Sequence, residues 1–167
     1  GGGQAGPALA ARCSKEGLRT GLVERGHLGG TCVNVGCVPT KTLVASARAI
    51  RLAQRGAEFG FDVGTVRVDM ARVKARKDAI VKVSNEGVEE GLRAADAITV
   101  YVGHARFVGP KEVTVGDERL TADQIFINVG GRALLPDWPG MDRVPVLTNT
   151  SMMALDTLPE TLLVVGG

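Results

Sequence analysis

An α/β fold with a parallel sheet is predicted by three features of this 167-residue chain. A spaced glycine run, Gly1-x-Gly3-x-x-Gly6, leads straight into a helical stretch. An apolar segment, RTGLVE, follows and ends on an acid. From Ala97 onward the apolar period shortens from helical spacing to two. A glycine turn, a helix and then a strand is the local order of a unit whose strands lie parallel.

The first helix is predicted over 7–16, with Pro7 near its first turn and Gly17 just past its end. Arg19–Glu24 is predicted as a buried strand. Residues 37–55 carry alanine, leucine and valine at helical spacing. A longer helix is predicted over 69–95, with Val73, Ile80, Val88 and Leu92 on one side and charges that run basic first and acidic later, the pattern of a solvated face. Beyond it, ITVYVG, ARFVG and EVTVG with a turn at Gly116-Asp117 predict a small antiparallel meander, and the apolar QIFINV predicts a further strand. Pro136, Pro139, Pro145 and Pro159 mark an irregular connector, after which LLVVGG reads as a strand entering a second glycine turn. Because a glycine motif stands at each end, the sequence is expected to be a piece, cut after one strand and inside a second glycine loop.

Composition narrows the function. A net charge of +2 without a one-signed patch, and only 4% aromatic residues, argue against nucleic acid as a partner. No apolar run is long enough to span a bilayer, which argues against a membrane role. Three cysteines are too few for a secreted disulfide scaffold and fit a reducing, cytoplasmic compartment.

The glycine run has a specific physical use. Gly1 permits a tight turn, Gly3 lets a pyrophosphate approach the backbone, Gly6 lets helix and strand pack closely, and the helix start supplies oriented N–H groups. Glu24, 18 residues after Gly6, stands near the spacing at which an acid hydrogen-bonds an adenosine ribose, and it disfavours a 2′-phosphate there. A flexible glycine tail before an ordinary helix is the alternative.

The block GGTCVNVGCVPTK, residues 29–41, holds Cys32 and Cys37. A disulfide closing so short a loop restrains little of the unfolded chain, so a structural staple is a weak explanation. A zinc site would need more ligands than His27 supplies nearby, and no metal site is expected. A redox pair at a helix entry is the third possibility, since the helix dipole favours a thiolate, and Lys41 lies one turn beyond Cys37 on the same face. Lys41 alone would read as a solvated lysine.

Taken together, the glycine loop, Glu24 and the cysteine block resemble the FAD domain of the class I pyridine nucleotide–disulfide oxidoreductases. The resemblance continues through the long charged helix, GHARF, the strand ending in Gly130 and the connector to LLVVGG. TKTLVASAR, VDMARVKARKDAIV and IFINVGGRA look most like the mercuric reductase-like branch, with a dihydrolipoamide dehydrogenase-type enzyme as the alternative and a non-catalytic nucleotide-binding module as the other reading. It implies a Rossmann-like FAD-binding domain over 1–131 lacking its first strand, with an inserted long helix pair and a meander. A connector over 132–160 and the first strand of a truncated NAD(P)-binding domain over 161–167 would follow. It further implies Cys32 as the thiol exchanging with substrate, Cys37 as the flavin-facing thiol and Lys41 near the flavin N5. Glu24 would meet the ribose, Gly30 and Thr31 the pyrophosphate and flavin, the backbone of His104 and Ala105 the adenine, and Gly130 a turn beside FAD. His104 is then no catalyst. Asn128-Val129-Gly130 departs from the family's usual Ala-Thr-Gly, which leaves the glycine turn but not a side-chain contact there. The family implies a small-molecule substrate, NAD(P)H as reductant through a domain outside this chain, and a homodimer. The chain alone is expected to be inactive.

Overall fold

The computed structural model describes residues 1–166. The order is α1 (Ala5–Lys15), β1 (Thr20–Glu24), α2 (Gly30–Val35), α3 (Cys37–Gln54), α4 (Met70–Arg93), β2 (Ile98–Val102), β3 (Ala105–Gly109), β4 (Glu112–Val115), β5 (Glu118–Thr121) and α5 (Asn149–Met152). Helix α1 opens before Pro7, which sits inside the first turn, where its missing N–H is not needed. Asp69 caps α4 by accepting a hydrogen bond from the Arg72 N–H at 3.0 Å.

Strands β1 and β2 pair in parallel, Leu22 opposite Val100 and Glu24 opposite Val102. This corrects one expectation: ITVYV belongs to the parallel sheet and the meander is β3-β4-β5 alone. Alternation reveals a half-buried strand without naming its partner, and α3 and α4 supply the long crossover that a parallel pair requires. The α/β class, the long helix pair and the small antiparallel sheet are otherwise as the sequence predicts.

The core lies where α1 and α4 pack on the sheet, with Ala10, Leu22, Leu28, Leu92 and Ile98 buried and Val88, Ala95 and Val100 against them. The predicted apolar side of α4 is only partly right. Leu92 is buried and Val88 half-buried, whereas Ile80 is exposed and Lys77 is buried in its place. Lys77 is tolerated there because its ammonium donates to the Met153 carbonyl at 2.7 Å and pairs with Asp78, so its charge is matched. Arg76 joins α4 to α3 by donating to the Thr42 carbonyl (3.1 Å).

Two predicted strands do not form. Residues 124–129 and 161–166 make no ladder with any described residue, so each apolar run lacks the partner that would turn extended backbone into a strand. Gly167, the second glycine of the closing pair, lies outside the described residues.

Candidate functional site

The glycine loop, the β1 terminus and the cysteine block converge at the carboxyl ends of the parallel strands, where open α/β sheets bind their ligands. Backbone proximity holds the loop together. A methyl group added at Gly6 would lie 1.8 Å from the Gly1 carbonyl oxygen, so Gly6 serves the crossing of the loop over itself more than the helix–strand contact expected of it; Leu22 is 3.7 Å away. Gly1 in turn lies against Asn128, whose carbonyl oxygen would be 2.1 Å from an added methyl. This brings the segment that ends in Gly130 to the loop. Gly130 itself is exposed, in a left-handed turn.

Glu24 folds back over the loop. Its two carboxylate oxygens accept the N–H of Gly2 at 2.7 Å and of Gly26 at 2.8 Å. Burial pushes its carboxyl up, but the hydrogen bonds from Gly26 and Gly2 act against burial, and the carboxyl lies below the ordinary range. The Gly103 N–H donates to the Glu24 backbone carbonyl at 2.9 Å, so His104 and Ala105, both exposed, leave the sheet beside Glu24.

Between β1 and α2 the chain turns through Gly29 and Gly30, whose φ values of 88° and 57° are ones that side chains avoid. The Gly29 N–H donates to the Gly2 carbonyl at 2.7 Å, and an added methyl at Gly30 would lie 2.6 Å from the Gly3 Cα. The glycine loop and the start of the cysteine block are therefore in backbone contact. Around Gly3 itself an added methyl would meet only the Gly30 Cα, at 3.9 Å, and no side chain caps the first turn of α1. That combination, open space beside uncapped N–H groups, fits a pyrophosphate.

Cys32 lies within α2 and Cys37 begins α3, separated by a reversal at Gly36 so tight that an added methyl would be 2.8 Å from the Thr31 carbonyl oxygen and 3.2 Å from the Cys32 Cα. The reversal sets Cys37 close enough to Cys32 to act on its thiol. All three cysteines are unbonded, with Cys37 exposed and Cys32 half-buried. The Cys37 hydrogen bond, then burial and the charge on Cys37, push the Cys32 thiol above the ordinary range, against a backbone bond at Cys37 and the charge of Lys41, which pull it down. For Cys32 the neighbouring sulfur and burial thus outweigh the backbone bond and Lys41. Lys41 and Thr31 are exposed, and Lys41 borders a groove on α3 with Thr40, Val44, Ala45 and Arg48.

The arrangement contains polar side chains that motif spacing does not single out. Asn34, inside the cysteine block, donates to the Leu28 and Gly30 carbonyls at 2.9 Å each. Asn85, on α4, donates to the Leu28 carbonyl and to Asn34 Oδ1. Its only sequence signal is a weak helix former in the middle of a long helix. Asn149 of α5 donates to the Val35 carbonyl at 3.4 Å, beside the Gly36 reversal. Among the described residues no three His, Cys, Asp or Glu side chains are grouped to hold a metal, and no helix is long and apolar enough to cross a membrane.

Known proteins resemble this chain along nearly its whole length. The mercuric reductase of Staphylococcus aureus is 32% identical over 166 residues, covering 99% of this chain and 30% of that protein. A dihydrolipoyl dehydrogenase of Bacillus subtilis is 33% identical over 180 aligned positions, covering the whole chain and 38% of that protein. Among solved structures, the HOCl-induced flavoprotein disulfide reductase RclA from Escherichia coli superposes with a TM-score of 0.80 at 32% identity over 95% of this chain and 34% of that one. The chain thus spans about a third of the length of these relatives. The profile of the family described as pyridine nucleotide-disulphide oxidoreductase matches residues 1–167, and the chain belongs to that family.

Proposed function

We propose that this chain is the FAD-binding part of an NAD(P)H-dependent flavin disulfide oxidoreductase whose Cys32–Cys37 pair carries electrons to a small-molecule substrate. The observation that carries the reading is the pair of unbonded cysteines set close together across the tight Gly36 reversal, beside a glycine loop with an uncapped helix start. FAD, when bound, supplies the two-electron relay from NAD(P)H to the disulfide. Gly1, Gly3 and Gly6 with the α1 N–H groups hold its pyrophosphate, joined by Gly30 and Thr31. Glu24 keeps acceptor capacity for the ribose beyond the two bonds it already accepts. The backbone of His104 and Ala105 would meet the adenine, Gly130 would turn beside the cofactor, and Lys41 would lie near the flavin ring.

The chemistry of the pair follows from its asymmetry. Two electrons and two protons open the Cys32–Cys37 disulfide to the dithiol. Cys32, as thiolate, attacks a substrate disulfide, forming a mixed disulfide and expelling one substrate thiolate. Cys37 then attacks the Cys32 sulfur, expelling the second thiolate and restoring the intramolecular disulfide. The neighbouring Cys37 holds the Cys32 thiol above the ordinary range, so Cys32 must give up its proton for the attack on substrate.

Residues 1–131 form the FAD domain, 132–160 the connector and 161–167 the start of a nicotinamide-binding domain. The whole protein works as a homodimer in the cytoplasm on a thiol/disulfide or metal-ion substrate, as a mercuric reductase-like enzyme ahead of a dihydrolipoamide dehydrogenase-type one. The test is anaerobic titration of the purified full-length protein with NADPH and NADH. Uptake of one electron pair by the flavin and a second by the disulfide is expected, followed by turnover with mercuric ion, lipoamide or glutathione disulfide. A colourless protein that FAD cannot reconstitute overturns the reading.

A further inference from the structure

We propose that Asn34 and Asn85 are positioning residues that lock the helix carrying Cys32 against the glycine loop and so set how readily Cys32 and Cys37 close into a disulfide. The inference rests on the redox reading of that pair. Helix α2 spans only Gly30–Val35 and has no side-chain cap at its start, so it has no stability of its own. Buried Val33, packing on α3 and α4, and a set of side-chain amides hold it in place.

The four amide hydrogens of the two asparagines are all placed. Asn34 gives one to the Leu28 carbonyl and one to the Gly30 carbonyl, each at 2.9 Å. Asn85 gives one to the same Leu28 carbonyl and one to Asn34 Oδ1, the latter at 3.2 Å. Both lone pairs of the Leu28 oxygen are thereby filled. Reversing either amide would set an oxygen against carbonyl oxygens, so the contacts fix one arrangement and the network is closed.

Its place in the fold gives it leverage. Asn85 rides on α4, whose Leu92 is anchored in the core. Leu28, also in the core, immediately precedes the left-handed Gly29-Gly30 turn that bonds Gly2 and abuts Gly3. Two residues after that turn comes Cys32. Core, nucleotide loop and Cys32 helix are thus tied through two side chains 51 residues apart in sequence. Cutting the tie frees α2 to move relative to Cys37, lowers the effective concentration of one sulfur at the other and disfavours the disulfide.

The experiment uses the full-length protein stripped of flavin and equilibrated with glutathione redox buffers, the disulfide fraction being read by mass after alkylation. Asn85→Ala should lower the equilibrium constant for disulfide formation about tenfold, a potential shift of about 30 mV for a two-electron couple. Asn85→Asp, which keeps the shape but puts acceptors against the Leu28 and Asn34 oxygens, should do at least as much. Should that variant fail to fold, Asn85→Ala decides. Asn34→Ala combined with Asn85→Ala should be no worse than the stronger single change, since both cut one network. A purely helical role predicts the reverse, because alanine is the better helix former and would leave the thiol equilibrium untouched. Constants for Asn85→Ala within twofold of the parent overturn the proposal. A parent protein that forms no Cys32–Cys37 disulfide at any buffer ratio overturns both this inference and the redox reading, whereas a redox-active parent matched by its Asn85 variants sinks the inference alone.

Discussion

Residues 1–42 and residues 124–166 both combine glycines with short apolar runs, yet they are organised in opposite ways. In the first, Leu22 and Leu28 are 4% and 8% exposed, and three glycines are pressed against backbone: Gly6 on Gly1, Gly30 on Gly3, Gly36 on Thr31. In the second, Val129, Leu134 and Leu163 are 83%, 92% and 84% exposed, and an added methyl at Gly130, Gly131, Gly140 or Gly166 would touch nothing. The difference shows what an apolar run can and cannot specify. RTGLVE becomes a strand because ITVYV lies alongside it, whereas QIFINV and LLVV have the same character and no described partner.

The sharpest way to break the comparison is Gly6→Ala, because its Cβ would sit 1.8 Å from the Gly1 carbonyl oxygen, a backbone atom that no rotamer change can move aside. The loop must open. We expect a loss of about 1–3 kcal/mol in denaturant unfolding, the scale of overpacking a tight site, together with loss of flavin from the purified full-length protein. Gly131→Ala, with open space around it, should leave both unchanged. Equal effects at the two positions would show that the contrast between the regions is not one of packing.

A smaller effect is expected at the cysteines. The Cys37 hydrogen bond is the largest cause of the raised Cys32 thiol, so Cys37→Ala should bring Cys32 down toward its ordinary range. The thiolate fraction at neutral pH then rises, and iodoacetamide should modify Cys32 severalfold faster. A rate that stays put or falls would mean that burial, not the neighbouring sulfur, sets the Cys32 proton. In the flavin-loaded protein, Cys37→Ser should abolish the long-wavelength thiolate-to-flavin absorption of the reduced state, and Cys32→Ser should keep it while losing turnover. The reverse pattern exchanges their roles.

These predictions lean on the part of the molecule that local sequence describes best. Glycines at fixed offsets, an acid at a strand end and two cysteines across Gly36 act through contacts within about one supersecondary unit, so spacing singles them out, while the roles of the cysteines come from the family resemblance. Asn85, Lys77 and the partner of ITVYV were not legible, because each depends on what is brought alongside from far away. Asn85 meets Leu28 across 57 residues, Lys77 meets Met153 across 76, and β2 finds β1 only after both long helices are placed. Lys77 is the clearest case. A lysine amid apolar positions on a charged helix reads as solvent-facing until the carbonyl that receives it is known.

Glu24 offers a pH test of the organised region. Its carboxyl lies below the ordinary range in the folded chain, so it binds fewer protons folded than unfolded. Its contribution is complete above the unfolded value of about 4.3 and is lost as pH falls through the lower folded value. Glu24→Gln keeps an acceptor for one of the two N–H groups and removes the charge. The melting temperatures of parent and variant should therefore differ at neutral pH and converge as pH falls through that window. Curves that stay parallel would detach Glu24 from the stability of the loop.

The smallest effect on stability belongs to the other region. Leu134 and Leu163 are 92% and 84% exposed, so replacing them with serine removes little apolar surface from any packed environment. Surface changes of this kind stay within about 0.5 kcal/mol, against about 2–5 kcal/mol for Leu22→Ala, whose side chain is taken out of the core. Solubility should respond where stability does not. Exposed Val129, Leu134, Leu135, Leu163, Val164 and Val165 give this end of the chain apolar surface of the kind that drives association. The double variant Leu134→Ser/Leu163→Ser of this chain should therefore bind less hydrophobic dye and elute at smaller apparent size, with an unchanged thermal transition. The same double variant in the full-length protein sharpens the contrast. A cost there approaching that of Leu22→Ala would mean that the rest of the protein covers these side chains, and a cost near zero would mean that they face water in both.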